Sequence, residues 1–143
     1  MRRQRKFVSA QSMVEFALVG PLFFLMLIGT IEMGRLMWTS HELSNGAREG
    51  ARWASVRGER YEDQPNPAIT WDDVRTVILN RTSALDSTLT GTLTYHPSTG
   101  LGEREPGSKV RVTTTYTYVP MVGGFLGIGN ITLSRQSELT IHY

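Results

Sequence analysis

One carboxylate, Glu15, lies inside an apolar segment and is the strongest chemical signal in the chain. No other residue between Phe7 and Ile31 carries a charge. An isolated carboxylate is costly in hydrocarbon, so such a residue usually pairs with a cation and marks a functional site. A glutamate near the end of a span could also extend to the headgroups. From the residue type alone, both interpretations stay open.

The other residues capable of chemistry do not form a recognisable site. The three histidines are far apart, and His41-Glu42 lacks the second histidine of a zinc-binding helix because Asn45 occupies that position. The adjacent Asp72 and Asp73 do not converge on a helix and suit its first turn instead. The glycines of residues 120–130 do not have a phosphate-binding spacing. The sequence predicts no catalytic residue, no metal site and no cofactor.

The charge distribution argues against a nucleic-acid partner. Four of the 15 basic residues precede residue 7, and the remaining 11 are fewer than the 13 acidic residues. A nucleic-acid surface needs a basic patch on the folded body, and the sequence offers none. The chain has no cysteine, which excludes disulfides and thiolate metal sites.

The segment from Phe7 to Ile31 is long enough to cross a bilayer. Its 25 residues would form a helix of roughly 37 Å, against a hydrocarbon core of about 30 Å. The basic cluster at residues 2–6 predicts a cytoplasmic N-terminus and an exported remainder. A cleaved secretory signal fits less well, because small residues precede the apolar run at Val8-Ser9-Ala10 instead of following it.

A basic leader, a small residue and then a hydrophobic helix form the layout of a type IV prepilin. If Gln11 is counted as the first mature residue, Glu15 is the fifth and Phe16 the sixth. This resembles the prepilin peptidase site of the Tad pilus system. There a small residue, usually Gly, precedes the cut, and Ala10 occupies that position here.

The resemblance extends beyond the cleavage site, over about a third of the chain. The Gln-Ser-x-Val-Glu-Phe start, the proline in the span and the stretch Ala47-Arg48-Glu49-Gly50-Ala51-Arg52 look like a TadE-like pseudopilin, a minor pilin of the Tad/Flp (type IVc) system. The resemblance implies that Glu15 pairs with the N-terminal amine of a neighbouring subunit and fixes axial register. It implies as partners a prepilin peptidase, other pilin or pseudopilin subunits, the inner-membrane assembly platform and the lipid bilayer.

Two further places on the predicted helix are of interest. Gly20-Pro21 predicts a kink or local melting within the span, because proline removes a backbone hydrogen bond. Arg48, Glu49 and Arg52 would lie opposite a narrow stripe of small apolar residues. They are either a contact surface for other subunits or headgroups, or an ordinary solvated helix face.

Beyond the span, the patterns predict an α+β body. One helix from about Gln11 to Val56, roughly 70 Å long, would lie in the membrane with its first half and on the body with its second. A second helix begins at Trp71 with Thr70 as its cap. Three strands alternate apolar residues with Thr, around 89–95, 110–118 and 131–141. The apolar, glycine-rich residues 120–130 form either an exposed contact surface or a loop over the sheet edge.

The expected product is a pilin-like protein with a long N-terminal helix on a small, roughly three-stranded antiparallel sheet. Residues 1–10 would be a cytoplasmic leader, 11–33 the transmembrane half of the helix and 34–143 an exported domain. The protein would be a non-enzymatic single-pass subunit of the cytoplasmic membrane or of an extracellular pilus. The alternative is a permanently anchored exported binding module that never polymerises.

Overall fold

The computed structural model describes residues 4–57, 69–100 and 102–142 of the chain. Contacts divide the protein into two compact units, with the boundary between Arg35 and Leu36. The first helix, α1, runs from Gln4 to Ser55 and contributes residues to both units.

The described side chains of α1 in the first unit, residues 11–35, are mostly apolar and uncovered. It is the one helix of the described residues that is long and apolar enough to cross a membrane, and its most apolar stretch is not buried against the rest of the protein. Large side chains such as Phe16, Leu18 and Met26 are mostly exposed. An apolar surface of this kind needs a non-aqueous environment or a partner.

The second unit contains a three-stranded antiparallel sheet in the order β1-β2-β3. The strands are β1 (Thr90–His96), β2 (Lys109–Tyr118) and β3 (Ile131–Thr140). The register pairs Leu93 with Val112 and Val110 with Leu139. The apolar residues of all three strands therefore share one face, as their period of two predicts. Ion pairs from Lys109 and Arg111 to Glu138 lie on the opposite, polar face.

Helix α2 (Trp71–Arg81) begins as its sequence predicts. The Thr70 hydroxyl accepts a hydrogen bond from the Asp73 backbone N–H, and the Asp73 carboxylate accepts one from the Thr70 N–H at 2.9 Å. This is a capping box. The hydrogen bonds from Thr70 lower the pKa of Asp73. Asp73 therefore acts in helix capping.

Two glycines of α1 allow close contact with α2. A Cβ at Gly46 would lie 2.7 Å from Ile78 Cγ2, and one at Gly50 would lie 2.8 Å from Val74 Cγ1. These glycines let α2 approach α1, because any side chain at either position would overlap the buried Val74 and Ile78 of α2.

A single core joins the helices to the apolar face of the sheet. Ala51 and Ala54 of α1 belong to the same buried cluster as Val110 and Val112 of β2, with Leu133 packed at its margin. Ala47 is also buried. The predicted α+β architecture, a long N-terminal helix and a second short helix with a three-stranded antiparallel sheet, is confirmed.

The segment between β2 and β3 contains a short helix, α3 (Gly123–Leu126), where the sequence predicted only a loop. Gly127 ends it with a φ of 69°, a conformation that glycine adopts without steric cost. The Ile128 N–H donates to the Gly123 carbonyl oxygen at 2.9 Å.

Strand β3 is an edge of the sheet, and Arg135 partly covers it. The backbone N–H of Ile141 donates to the Ser108 carbonyl oxygen, so Ile141 and the other odd-numbered residues direct their backbone hydrogen-bonding groups toward β2. The even-numbered residues of β3 consequently direct their N–H and C=O groups to the open edge. The Arg135 guanidinium donates to one of these, the Ser134 carbonyl oxygen, at 2.8 Å and to the Ser40 hydroxyl of α1 at 2.6 Å.

Candidate functional site

The candidate cleavage site lies in helical backbone near the start of the chain. Ala10 and Gln11 both belong to α1, although the side chain of Ala10 is outside the described part. The Gln11 side-chain amide donates to the Glu15 carboxylate, with Nε2 and Oε1 3.2 Å apart. Glu15 itself is exposed. The helix therefore places residues 11 and 15 on one face, a single turn apart.

This spacing has a direct chemical meaning. A carboxylate that accepts a hydrogen bond from residue 11 is also within one helical turn of any positive charge created at that residue. Cleavage before Gln11 would create an α-ammonium group. The exposure of Glu15 equally leaves it open to a cation from another molecule. The arrangement supports ion pairing by Glu15.

The residues after Glu15 are helical and mostly uncovered. The exposed Phe16 ring lies along Gly20, where a Cβ would be 3.8 Å from ring atom Cε1. Helix α1 continues through Pro21, so local melting is absent from the structure at this position. The kink at Gly20-Pro21 stays a prediction.

The second candidate site, the polar stretch of α1, divides into an internal and an external part. Glu49 accepts hydrogen bonds from Arg52, with its closest contact at 2.8 Å, and lies 3.5 Å from Arg81 of α2. The hydrogen bond from Arg52 is the main cause of the lowered pKa of Glu49. Glu49 thus links the two helices, a role that sequence spacing did not reveal because Arg81 is 32 positions away.

Arg48 and Arg52 point away from the core. Arg48 is exposed, and 65% of the Arg52 side chain is accessible to solvent. Arg48 and Arg52 are four positions apart, and the Glu49 carboxylate beside Arg52 offsets the repulsion between their like charges. Exposed pairs of this kind contribute little to stability, because water screens the charges. These guanidinium groups are accessible, and their role as a contact surface stays a prediction.

The histidines do not come together. His41 and His96 are exposed, and the backbone N–H of His142 donates to the Ser55 carbonyl oxygen at 3.3 Å. Within residues 4–57, 69–100 and 102–142, no three His, Asp or Glu side chains are grouped so as to hold a metal ion.

These observations define an α+β protein with one apolar N-terminal helix that could span a membrane. Residues 10–52 match the model of a family described as TadE-like protein, which confirms the resemblance noted in the sequence. The match points to a Tad pilus-associated protein, and this family is a pilus component and not a known enzyme family. No curated protein and no solved structure gave a significant match to the chain.

Proposed function

We propose that the chain is a non-enzymatic, membrane-inserted pilin-like subunit that acts in the assembly or structure of a Tad-type pilus. A prepilin peptidase removes residues 1–10, and the mature chain begins at Gln11. The apolar part of α1 holds it in the cytoplasmic membrane with the body outside. Other pilin or pseudopilin subunits and the inner-membrane assembly platform are its partners.

The observation that carries the proposal is the extent of the family match. It begins at Ala10, the residue before the proposed cut, and continues to Arg52. It therefore covers the cleavage site, Glu15, the apolar helix and the arginine-containing stretch in one continuous element. A peptide that served only as an anchor would not need the combination of a small residue before the cut and an acid five residues later.

In this proposal Glu15 fixes the axial position of one subunit relative to its neighbour. The new ammonium at Gln11 of one subunit pairs with the Glu15 carboxylate of a neighbour within the apolar layer. Such a pair is favourable only when both charges are matched, because each unpaired charge costs several kcal/mol in a low dielectric. Subunits shifted along the axis lose the pair, so the pairing selects one axial position.

The exposed arginines of α1 supply a second contact in the same proposal. Arg48 and Arg52 face away from the core, where they are able to meet acidic groups of a neighbouring subunit. Glu49 is partly engaged with Arg81 of the same chain. The intermolecular contact consequently rests on the two arginines more than on the glutamate.

The decisive experiment is the intact mass of the protein recovered from its native membrane. Cells with an active prepilin peptidase should yield a chain that starts at Gln11, whereas cells without the peptidase should keep Met1–Lys6. Ala10→Leu, which puts a large side chain before the cut, should retain the leader, and Ala10→Gly should be processed.

An unprocessed leader in peptidase-positive cells would instead favour the second candidate, a permanently anchored exported binding module. That module would have the same apolar helix and the same α+β body. It would need neither a free amine at Gln11 nor a charge at Glu15. The mass of the native protein therefore separates the two functions directly.

A further inference from the structure

The exposed apolar side chains of the second unit are concentrated in two segments. Met37 and Trp38 of α1 are 57% and 61% exposed. Val119, Met121 and Ile128, in the segment between β2 and β3, are 62%, 77% and 49% exposed. Apart from these five, the large apolar side chains exposed in the described part of this unit are Val56 and Leu139.

The two segments lie at the same end of the body. Ser40 of α1 bonds to Arg135 of β3, and Ser55 of α1 bonds to His142, just after β3. The helix therefore runs in the same direction as β3. The lengths of the two segments agree: the 15 helical steps from Ser40 to Ser55 and the seven extended steps from Arg135 to His142 each span about 23 Å. The start of β3 and the segment before it consequently lie toward the end of the body at which α1 enters.

The segment between β2 and β3 is suited to a non-aqueous surface. No charged residue occurs between Arg111 and Arg135. Hydrogen bonds from Gly123 N to Pro120 O and from Ile128 N to Gly123 O satisfy part of its backbone internally. An exposed loop that is both uncharged and internally bonded loses little when water is removed from it.

We propose that residues 119–130 rest on the surface of the lipid bilayer and form, with Met37 and Trp38, a second membrane contact in addition to the α1 span. The occupant is the bilayer because the apolar span is joined by the chain to the end of the body that carries these side chains. Tryptophan at this position suits the membrane–water interface. The proposal rests on the membrane anchoring proposed above, but not on cleavage or on assembly into a pilus.

The depth of the contact is limited by a carboxylate. Asp86 precedes β1, whose first residue, Thr90, pairs with Thr115 near the same end of the sheet. Asp86 accepts hydrogen bonds from Thr88, which lower its pKa and keep it charged. A charged group at this level fits the headgroup layer and not the hydrocarbon. The loop therefore lies at the interface.

The full-length chain in phosphatidylcholine vesicles provides the test. The protein has no cysteine, so Met121→Cys and Ile128→Cys each give a unique site for an environment-sensitive fluorophore. Thr99→Cys, in the exposed turn after β1 at the opposite end of the sheet, is the matched control. Met26→Cys, exposed within the apolar span, reports insertion itself.

The fluorophores at 121 and 128 should lose most of their emission when the lipids carry a nitroxide near the headgroup, and iodide in the water should quench them little. The fluorophore at 99 should show the reverse. Quenching at 121 and 128 like that at 99, with the fluorophore at 26 quenched by lipids that carry the nitroxide on the acyl chain, would overturn the loop contact alone.

Two other outcomes also overturn the proposal. Protection from iodide that disappears when the protein is diluted in lipid, without nitroxide quenching, would mean that the loop contacts a second copy of the chain. Absence of quenching at 26 by acyl-chain nitroxide would refute membrane insertion and the proposed function with it.

Discussion

In the proposed function, Glu15 is the residue whose substitution should separate membrane insertion from assembly. Its carboxylate lies one turn from Gln11, accepts a hydrogen bond from the Gln11 side-chain amide and is exposed. Insertion depends on the apolar residues around it and does not need the charge. Assembly, in the proposed function, depends on pairing that charge with an ammonium group of a neighbour.

We therefore expect Glu15→Leu to enter the membrane normally but to be depleted from assembled pili. Removing one member of a buried ion pair costs about 3–5 kcal/mol, which is enough to exclude the variant in competition with the natural chain. The measurement is the ratio of subunit in sheared pili to subunit in the membrane fraction. Glu32→Leu, which removes the acid at the other end of the apolar run, is the control and should assemble. Equal incorporation of both variants would refute the ion-pair account.

At the scale of elements, the contact between α1 and α2 depends on the absence of side chains. Gly46 and Gly50 are four positions apart and form one surface for Val74 and Ile78. A glycine within a helix lowers its stability by about 1 kcal/mol relative to alanine. The close packing of α2 against these two glycines is expected to stabilise the body by more than the glycines destabilise the helix.

Gly50→Ala should consequently destabilise the body, although alanine is the better helix former. The new Cβ would lie 2.8 Å from Val74 Cγ1 and 3.1 Å from Ile78 Cδ1. Overpacking of this kind costs about 1–3 kcal/mol. Gly34→Ala is the matched control, because a Cβ there meets nothing within 4 Å. Thermal unfolding of the full chain in detergent should give a lower Tm for Gly50→Ala only. A Tm equal to that of Gly34→Ala would show that the helices separate easily.

The elements themselves were largely predictable from local patterns. Alternation of apolar residues with Thr located the three strands to within about two residues, and the Thr70–Asp73 spacing located the start of α2. The buried Ala51 and Ala54 followed from helical periodicity. Each of these signals depends on neighbours within a few positions, so a single sequence contains it.

The contacts that could not be predicted from the sequence join segments that are far apart in the chain. The pair of Glu49 with Arg81 and the fit of Gly46 against Ile78 join residues about 32 positions apart. Arg135 occupies a position on the apolar face of β3, where alternation alone predicts an apolar residue. Its partner, Ser40, is 95 positions earlier. Such pairings arise from the packing of whole elements and leave no periodic signal.

For the whole molecule, the central expectation is an exported body. The basic cluster at residues 2–6 and the apolar helix found in the described part of the chain predict a cytoplasmic N-terminus with residues 34–143 outside. Thr99 is a suitable reporter because it is exposed in the turn after β1, whereas the neighbouring Ser98 hydroxyl donates to the Gly107 carbonyl oxygen at 2.8 Å.

Thr99→Cys should react with a membrane-impermeant maleimide in intact spheroplasts. Its thiol would be the only one in the chain, so the natural protein provides a background without labelling. The extent of labelling should not increase when the membrane is permeabilised. Labelling that appears only after permeabilisation would place the body in the cytoplasm and reverse the proposed topology.

The edge of β3 has a consequence for crowding. Membranes and filaments hold many copies of a subunit at high local concentration. An open ten-residue edge strand can then pair with the same strand of another copy. Arg135 occupies the middle of that edge, tied to Ser40 and donating to the Ser134 carbonyl oxygen. A second strand must displace the guanidinium and accommodate its charge before it can pair. Arg135 thereby disfavours amyloid-like stacking of copies through the open edge of β3.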